Sequence, residues 1–87
     1  MAKKVLKYWA SWCSPCKQYA PIFENVKQQL QGDVEFQEID VDNDSEGLTA
    51  EYQVRNIPCT VVIENGVEIS RRAGSMSEEE LKSIILN

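Results

Sequence analysis

Histidine is absent from this 87-residue chain, and cysteine occurs only three times. A structural zinc site draws four ligands, mostly from those two residue types, so the commonest metal centres lack their material here. Long hydrophobic runs are also missing. No stretch approaches the roughly 20 apolar residues that cross a bilayer, and the apolar segment in MAKKVLKYWASWC is interrupted by Lys7 and too short for a secretory leader. Positive charge is scarce: nine Lys and Arg face fourteen Asp and Glu, for a net charge of -5. The basic residues are scattered apart from the Lys3-Lys4 and Arg71-Arg72 pairs, which disfavours binding to nucleic-acid phosphates. Repeats, linkers and low-complexity tracts are absent as well. These features together predict one compact domain over residues 1–87 that stays in the cytoplasm, where close cysteine pairs are redox-active or metal-binding more often than structural.

Against this background, periodic segments stand out. Val5 to Ala10 (VLKYWA) is a short apolar run suited to a buried strand. A helix is predicted from about Pro15 to Leu30, because Tyr19, Ile22, Phe23, Val26 and Leu30 recur at helical spacing. Pro15 suits its first turn, and Pro21 predicts a kink because it removes a backbone donor and crowds the preceding turn. After the Gly32-Asp33 turn, Val34 to Val41 alternates as a strand. Asn43 to Tyr52 is read as a short helix with an Asn43…Glu46 capping start, weakened by Gly47. Thr60 to Glu64 and Val67 to Arg71 flank Asn65-Gly66 and predict a hairpin with a type I′ turn. Ser77 followed by Glu80 is a capping box opening a last helix that carries Leu81, Ile84 and Ile85. The order is βαβαββα. A right-handed crossover makes the first two strands parallel, and the hairpin adds an antiparallel pair. An α/β fold follows, with a four-stranded mixed sheet and helices on both faces.

WCSPCK, residues 12 to 17, carries the chemistry. Cys13 falls where the first strand gives way to the helix, so its sulfur sits among the unpaired amides and the positive end of that helix, which favour a thiolate. Cys13 is therefore the better nucleophile. Cys16 lies one turn further on, near enough to close a disulfide and more shielded, as suits a resolving thiol. Such a pair can cycle between dithiol and disulfide. A metal site and chance spacing are the competing readings, and CxxC beside a βαβ pattern favours redox chemistry over both.

The combination of WCSPCK at a strand end, Pro21 five residues past the second cysteine, Ile57-Pro58 opening the hairpin, Asn65-Gly66 at its turn and Gly74 beyond it resembles the thioredoxin family. The resemblance runs from about Val5 to Leu86 and lacks the family's first strand and helix, as in short members from archaea and phages. It implies a thioredoxin-like fold and a protein-disulfide reductase of the oxidoreductase class, in which Cys13 attacks a substrate disulfide and Cys16 resolves the mixed disulfide. It also implies that Ser14 and Pro15 tune the redox potential, and that a cis Pro58 faces the cysteines. Trp12, Ile57, Ala73 and Gly74 would line a shallow substrate groove. The implied partners are thioredoxin reductase or an equivalent electron donor and disulfide-containing proteins, with the protein acting as a monomer. No cofactor beyond the Cys13-Cys16 disulfide, and no metal, nucleic acid or membrane, is called for.

Three departures from the family pattern stand out. Thioredoxins commonly place a buried Asp six residues before the nucleophile and a Lys opposite. Here the first position is Lys7 and, with one residue inserted after the second strand, the opposite one is Glu38. Lys7 shares a strand face with Val5 and Trp9, and Glu38 with Val34 and Phe36, so the two are expected to form a sign-reversed pair, with Glu38 taking the proton-relay role. Snorkelling of both to solvent is the alternative. Ser14 stands where Gly is usual. Cys59 replaces the usual Thr after the proline, either filling a small buried space or acting as a regulatory third thiol. Lys17 and the Glu78-Glu79-Glu80 run read as solvated charge and helix-start chemistry. A glutathione-using glutaredoxin-like enzyme and a thioredoxin-fold binding module with incidental thiols are the alternative functions.

Overall fold

The computed structural model describes residues 2–86. Its elements run β1 (Lys3–Trp9), α1 (Ser14–Leu30), β2 (Glu35–Asp40), α2 (Leu48–Glu51), β3 (Cys59–Glu64), β4 (Val67–Ala73) and α3 (Glu78–Leu86). One four-stranded sheet has the order β2-β1-β3-β4. β1 pairs in parallel with β2, and antiparallel pairing joins β1 to β3 and β3 to β4. This is the expected mixed sheet.

Alternation along the strands distributes two apolar layers over the two faces. Val5 and Val62 point to the side where α1 and α3 supply Tyr19, Phe23, Val26, Leu81 and Ile85. On the other side Leu6, Tyr8, Ile39, Val61 and Ile63 pack with Leu48, Tyr52 and Val54 from α2 and the segment after it. Phe23 is fully buried, a contribution of roughly 1.5–3 kcal/mol relative to leaving such a side chain in water. α1 runs continuously through Pro21.

Turn and cap chemistry is local and readable. Asn65 and Gly66 both have positive φ, 52° and 84°, as a type I′ turn demands. At α3 the Glu80 amide donates to Ser77 Oγ (3.1 Å) and the Ser77 amide to Glu80 Oε1 (3.0 Å), closing the capping box. The second helix differs from its expectation. Instead of spanning Asn43 to Tyr52 it is a single turn, Leu48–Glu51, preceded by Gly47 in the left-handed region at φ 72°. Its free amides are taken not by an Asn43…Glu46 cap but by Asp44, whose carboxylate accepts from Leu48 N–H (3.1 Å) and Thr49 N–H (2.6 Å). Asn43 and Glu46 turn elsewhere, to Asp40 and Gln37. Satisfying the backbone through Asp44 holds residues 43–47 in a loop.

Candidate active site

The chain leaves β1, makes a tight turn in which Cys13 N–H donates to Ala10 C=O (3.2 Å), and enters α1 with Cys13 as its N-cap. Pro15 occupies the first turn, where its missing N–H costs no helical bond. Cys13 and Cys16 are joined as a disulfide. The Cys16 amide, one of the donors a helix start leaves unpaired, points at Cys13 Sγ at 3.2 Å. No acidic residue sits in the first turn to oppose a thiolate. Both cysteines are buried, 5% and 3% exposed, and cluster with Ala10 against Trp9, Val41 and Ile57.

The other sequence-selected residues converge on the same end of the sheet, because the ends of β1, β2 and β4 and the start of β3 meet there. The Ile57–Pro58 peptide bond is cis and Pro58 is buried. Ile57 C=O lies 3.8 Å from Cys13 Sγ. Ala73 is the Cα partner of Cys59, and the Gly74 amide donates to Pro58 C=O at 2.7 Å, which brings the end of β4 alongside the proline. Gly74 has φ 92°, a conformation that suits residues without a Cβ. Trp12 projects from this surface, 67% exposed. Ser14 and Pro15 are exposed beside it.

Lys7 and Glu38 are Cα partners across the parallel β1–β2 pair. Lys7 Nζ lies 3.1 Å from Glu38 Oε1, with the lysine side chain 5% exposed and the carboxylate side chain 37% exposed. Snorkelling therefore does not describe Lys7, whose ammonium also stands 5.0 Å from the centre of the Phe23 ring. The pair borders a cavity of about 340 Å³ whose wall includes Cys16.

Sequence reasoning missed three contributors. Asp42 accepts a 2.8 Å hydrogen bond from Trp12 Nε1, and Lys27 of α1 places Nζ 3.6 Å from Glu38 Oε2. Phe23, which its spacing marks only as core, lies under the Lys7 ammonium. Asp42 lies 30 positions from Trp12, in a run of acidic loop residues that carries no spacing signal; Lys27 falls on a helix face whose partner strand only the packing reveals.

Cys59 lies apart from the cysteine pair's own cluster. It is buried among Leu6, Tyr8, Ile39, Val61 and Ile63 on the α2 side of the sheet, and burial raises its thiol pKa. That environment makes a thiolate costly and fits a space-filling residue. Among the described residues no group of three or more His, Cys, Asp and Glu side chains is placed to hold a metal ion. No helix among them is long and apolar enough to cross a membrane.

The comparisons with known proteins agree with this geometry. The family described as Thioredoxin matches residues 1–87. A thioredoxin of Mycoplasmoides gallisepticum is 37% identical over 83 residues, covering 95% of this chain and 81% of that protein. One from Haemophilus influenzae is 32% identical over 81 residues, covering 93% of this chain and 75% of that one. Among solved structures, Fasciola hepatica thioredoxin superimposes with a TM-score of 0.87 at 34% identity, over 98% of this chain and 79% of that one. The chain belongs to the thioredoxin family and is a thioredoxin-type protein-disulfide oxidoreductase.

Proposed function

We propose that the 87 residues work as one domain and one monomer that reduces protein disulfides in the cytoplasm. Cys13 is the nucleophile and Cys16 the resolving thiol. The observation that carries these assignments is the position of Cys13 Sγ at the start of α1, with the Cys16 amide directed at it and no carboxylate in the first turn. A donor and a helix terminus aimed at one sulfur favour its thiolate.

In the first step the Cys13 thiolate attacks one sulfur of a substrate disulfide. A Cys13–substrate S–S bond forms, the substrate S–S bond breaks, and the released sulfur leaves as a thiolate that takes a proton from solvent. Cys16, having lost its proton, then attacks Cys13 Sγ. The Cys13–Cys16 bond forms, the mixed disulfide breaks, and the second substrate thiolate leaves. Two electrons have moved from the dithiol to the substrate. A thioredoxin reductase or equivalent donor returns them, and the cysteine pair is the group that carries the electrons.

Trp12, Ile57, Ala73 and Gly74 form the substrate groove around Cys13, with Pro58 holding Ile57 against the sulfur. Ser14 and Pro15 between the cysteines adjust the potential. Lys7 and Glu38 stand behind the pair, Glu38 serving as proton acceptor for Cys16. An unchanged pH profile of disulfide reduction in Glu38→Gln would remove that relay role.

The decisive assay is insulin disulfide reduction with dithiothreitol, with thioredoxin reductase and NADPH, and with glutathione in parallel. Activity with the first two, loss in Cys13→Ser, and a trapped mixed disulfide in Cys16→Ser are expected. Turnover with glutathione alone would favour the glutaredoxin-like reading. Absence of activity with every donor would overturn the reductase.

A further inference from the structure

The cavity behind Cys16 has a charge arrangement the substrate groove does not explain. Its wall takes Lys7 from β1, Glu38 from β2, and Cys16 and Lys17 from α1. Glu38 is also reached by Lys27 of α1. The side chains are unequal in exposure: Lys7 is 5% exposed, whereas Glu38 and Lys27 are 37% and 30% exposed. Lys17 is exposed. Water screens an exposed charge and leaves a buried one in force. The least screened charge on this wall is therefore the Lys7 ammonium, and its sign is positive.

We propose that Lys7 is a positioning residue for the resolving step, its buried ammonium supplying the counter-charge for the Cys16 thiolate. The inference rests on Cys16 being the resolving thiol. Attack on Cys13 Sγ requires negative charge on Cys16 Sγ, in a place only 3% exposed where water cannot supply the stabilisation. A fixed cation in the same cavity replaces the missing solvent, and the Phe23 ring beneath Lys7 Nζ holds it there. Glu38 opposes this effect: it anchors Lys7 but places a negative charge on the same wall. The two charges of one ion pair are thus assigned opposite influences on Cys16.

The test is the titration of Cys16 in the reduced protein, followed by the 13Cβ resonance of labelled cysteine. The charged and titratable groups that share the cavity wall with Cys16 are Lys7, Glu38 and Lys17, with Cys13 its disulfide partner and Lys27 acting through Glu38. Lys7→Met is expected to raise the Cys16 midpoint by about one pH unit, a tenfold loss in thiolate equilibrium. Resolution of a preformed mixed disulfide at neutral pH should slow about threefold, because a more basic sulfur regains part of the loss as nucleophilicity. Lys7→Arg keeps the charge and should restore the parent midpoint. Glu38→Gln should move the midpoint the other way. An unchanged or lowered midpoint in Lys7→Met overturns the proposal. Should that variant fail to fold, an unchanged or raised midpoint in Glu38→Gln overturns it. Insulin reduction by the parent, measured separately, reports on the oxidoreductase reading itself, so failure of one is distinguishable from failure of the other.

Discussion

The indole N–H of Trp12 donates to Asp42 Oδ2 at 2.8 Å, across 30 positions of sequence, so a tryptophan that is 67% exposed keeps one orientation beside Cys13. An exposed aromatic without such a tie samples several rotamers and must lose that freedom when a substrate docks. Asp42→Ala should therefore lower kcat/KM for insulin reduction by about three- to tenfold through KM, with reduction of a small disulfide by comparison little changed. Asp42→Asn keeps an acceptor oxygen and should recover most of the loss. Equal losses on both substrates would place Asp42 in the chemistry instead of the docking surface.

Removing either member of the Lys7–Glu38 pair should have unequal consequences for stability. Glu38→Gln leaves a buried ammonium without its carboxylate, at an expected cost of about 1–3 kcal/mol, reduced from the fully buried case because Glu38 is partly solvated. Lys7→Met leaves Glu38 paired with Lys27 and open to water, and fills the same space with apolar volume. It should cost about 1 kcal/mol or less. Urea unfolding of the two oxidised variants checks the order.

The loop before α2 offers a sharper contrast. Asp44 alone accepts from the Leu48 and Thr49 amides, so Asp44→Ala should cost about 1 kcal/mol, in the manner of a lost helix cap. Asn43→Ala and Glu46→Ala, which contact neighbours through exposed side chains, should stay within about 0.5 kcal/mol of the parent. Thermal unfolding midpoints of the three variants suffice.

Alkaline pH should weaken the fold. Burial raises the Cys59 thiol above its ordinary value of 9.0. Tyr19 is pushed up to about 12 from 10.0, chiefly by burial, and burial likewise raises Tyr8. For each group the folded pKa exceeds the unfolded one. The neutral form is thus favoured in the native state, and its stabilising contribution is complete below the unfolded pKa and lost as pH rises towards the folded one. Urea midpoints of the oxidised protein should hold level from pH 7 to about 8.5 and fall beyond it. Cys59→Ala should remove the earliest part of that fall, since the tyrosines begin about one unit higher.

The sequence by itself determined what depends on neighbours along the chain. Helical spacing of Tyr19, Phe23 and Val26 marked the buried face of α1, Asn65-Gly66 marked the hairpin, Ser77 and Glu80 marked the last cap, and the three-residue step from Cys13 to Cys16 marked the redox pair. Such signals survive in one dimension because hydrogen bonds and side-chain phase at short range produce them. The Asn43–Tyr52 helix was misjudged for the complementary reason: Asp44 could bond the backbone from a loop, and local propensity does not rank the two solutions.

Tertiary structure decided the rest. Strand phase could place Lys7 and Glu38 on apolar faces, but only the parallel register of β1 and β2 made them partners, and only the packing of Lys7 over Phe23 showed which of the two is buried. Cys59 adjoins Pro58 in sequence, yet the alternation of β3 turns its sulfur into the α2-side core, away from the cysteine cluster. Trp12 and Asp42 meet because α1 and β2 begin and end at the same edge of the molecule. Charge effects depend on distance and on how much water intervenes, and both are fixed when the chain folds.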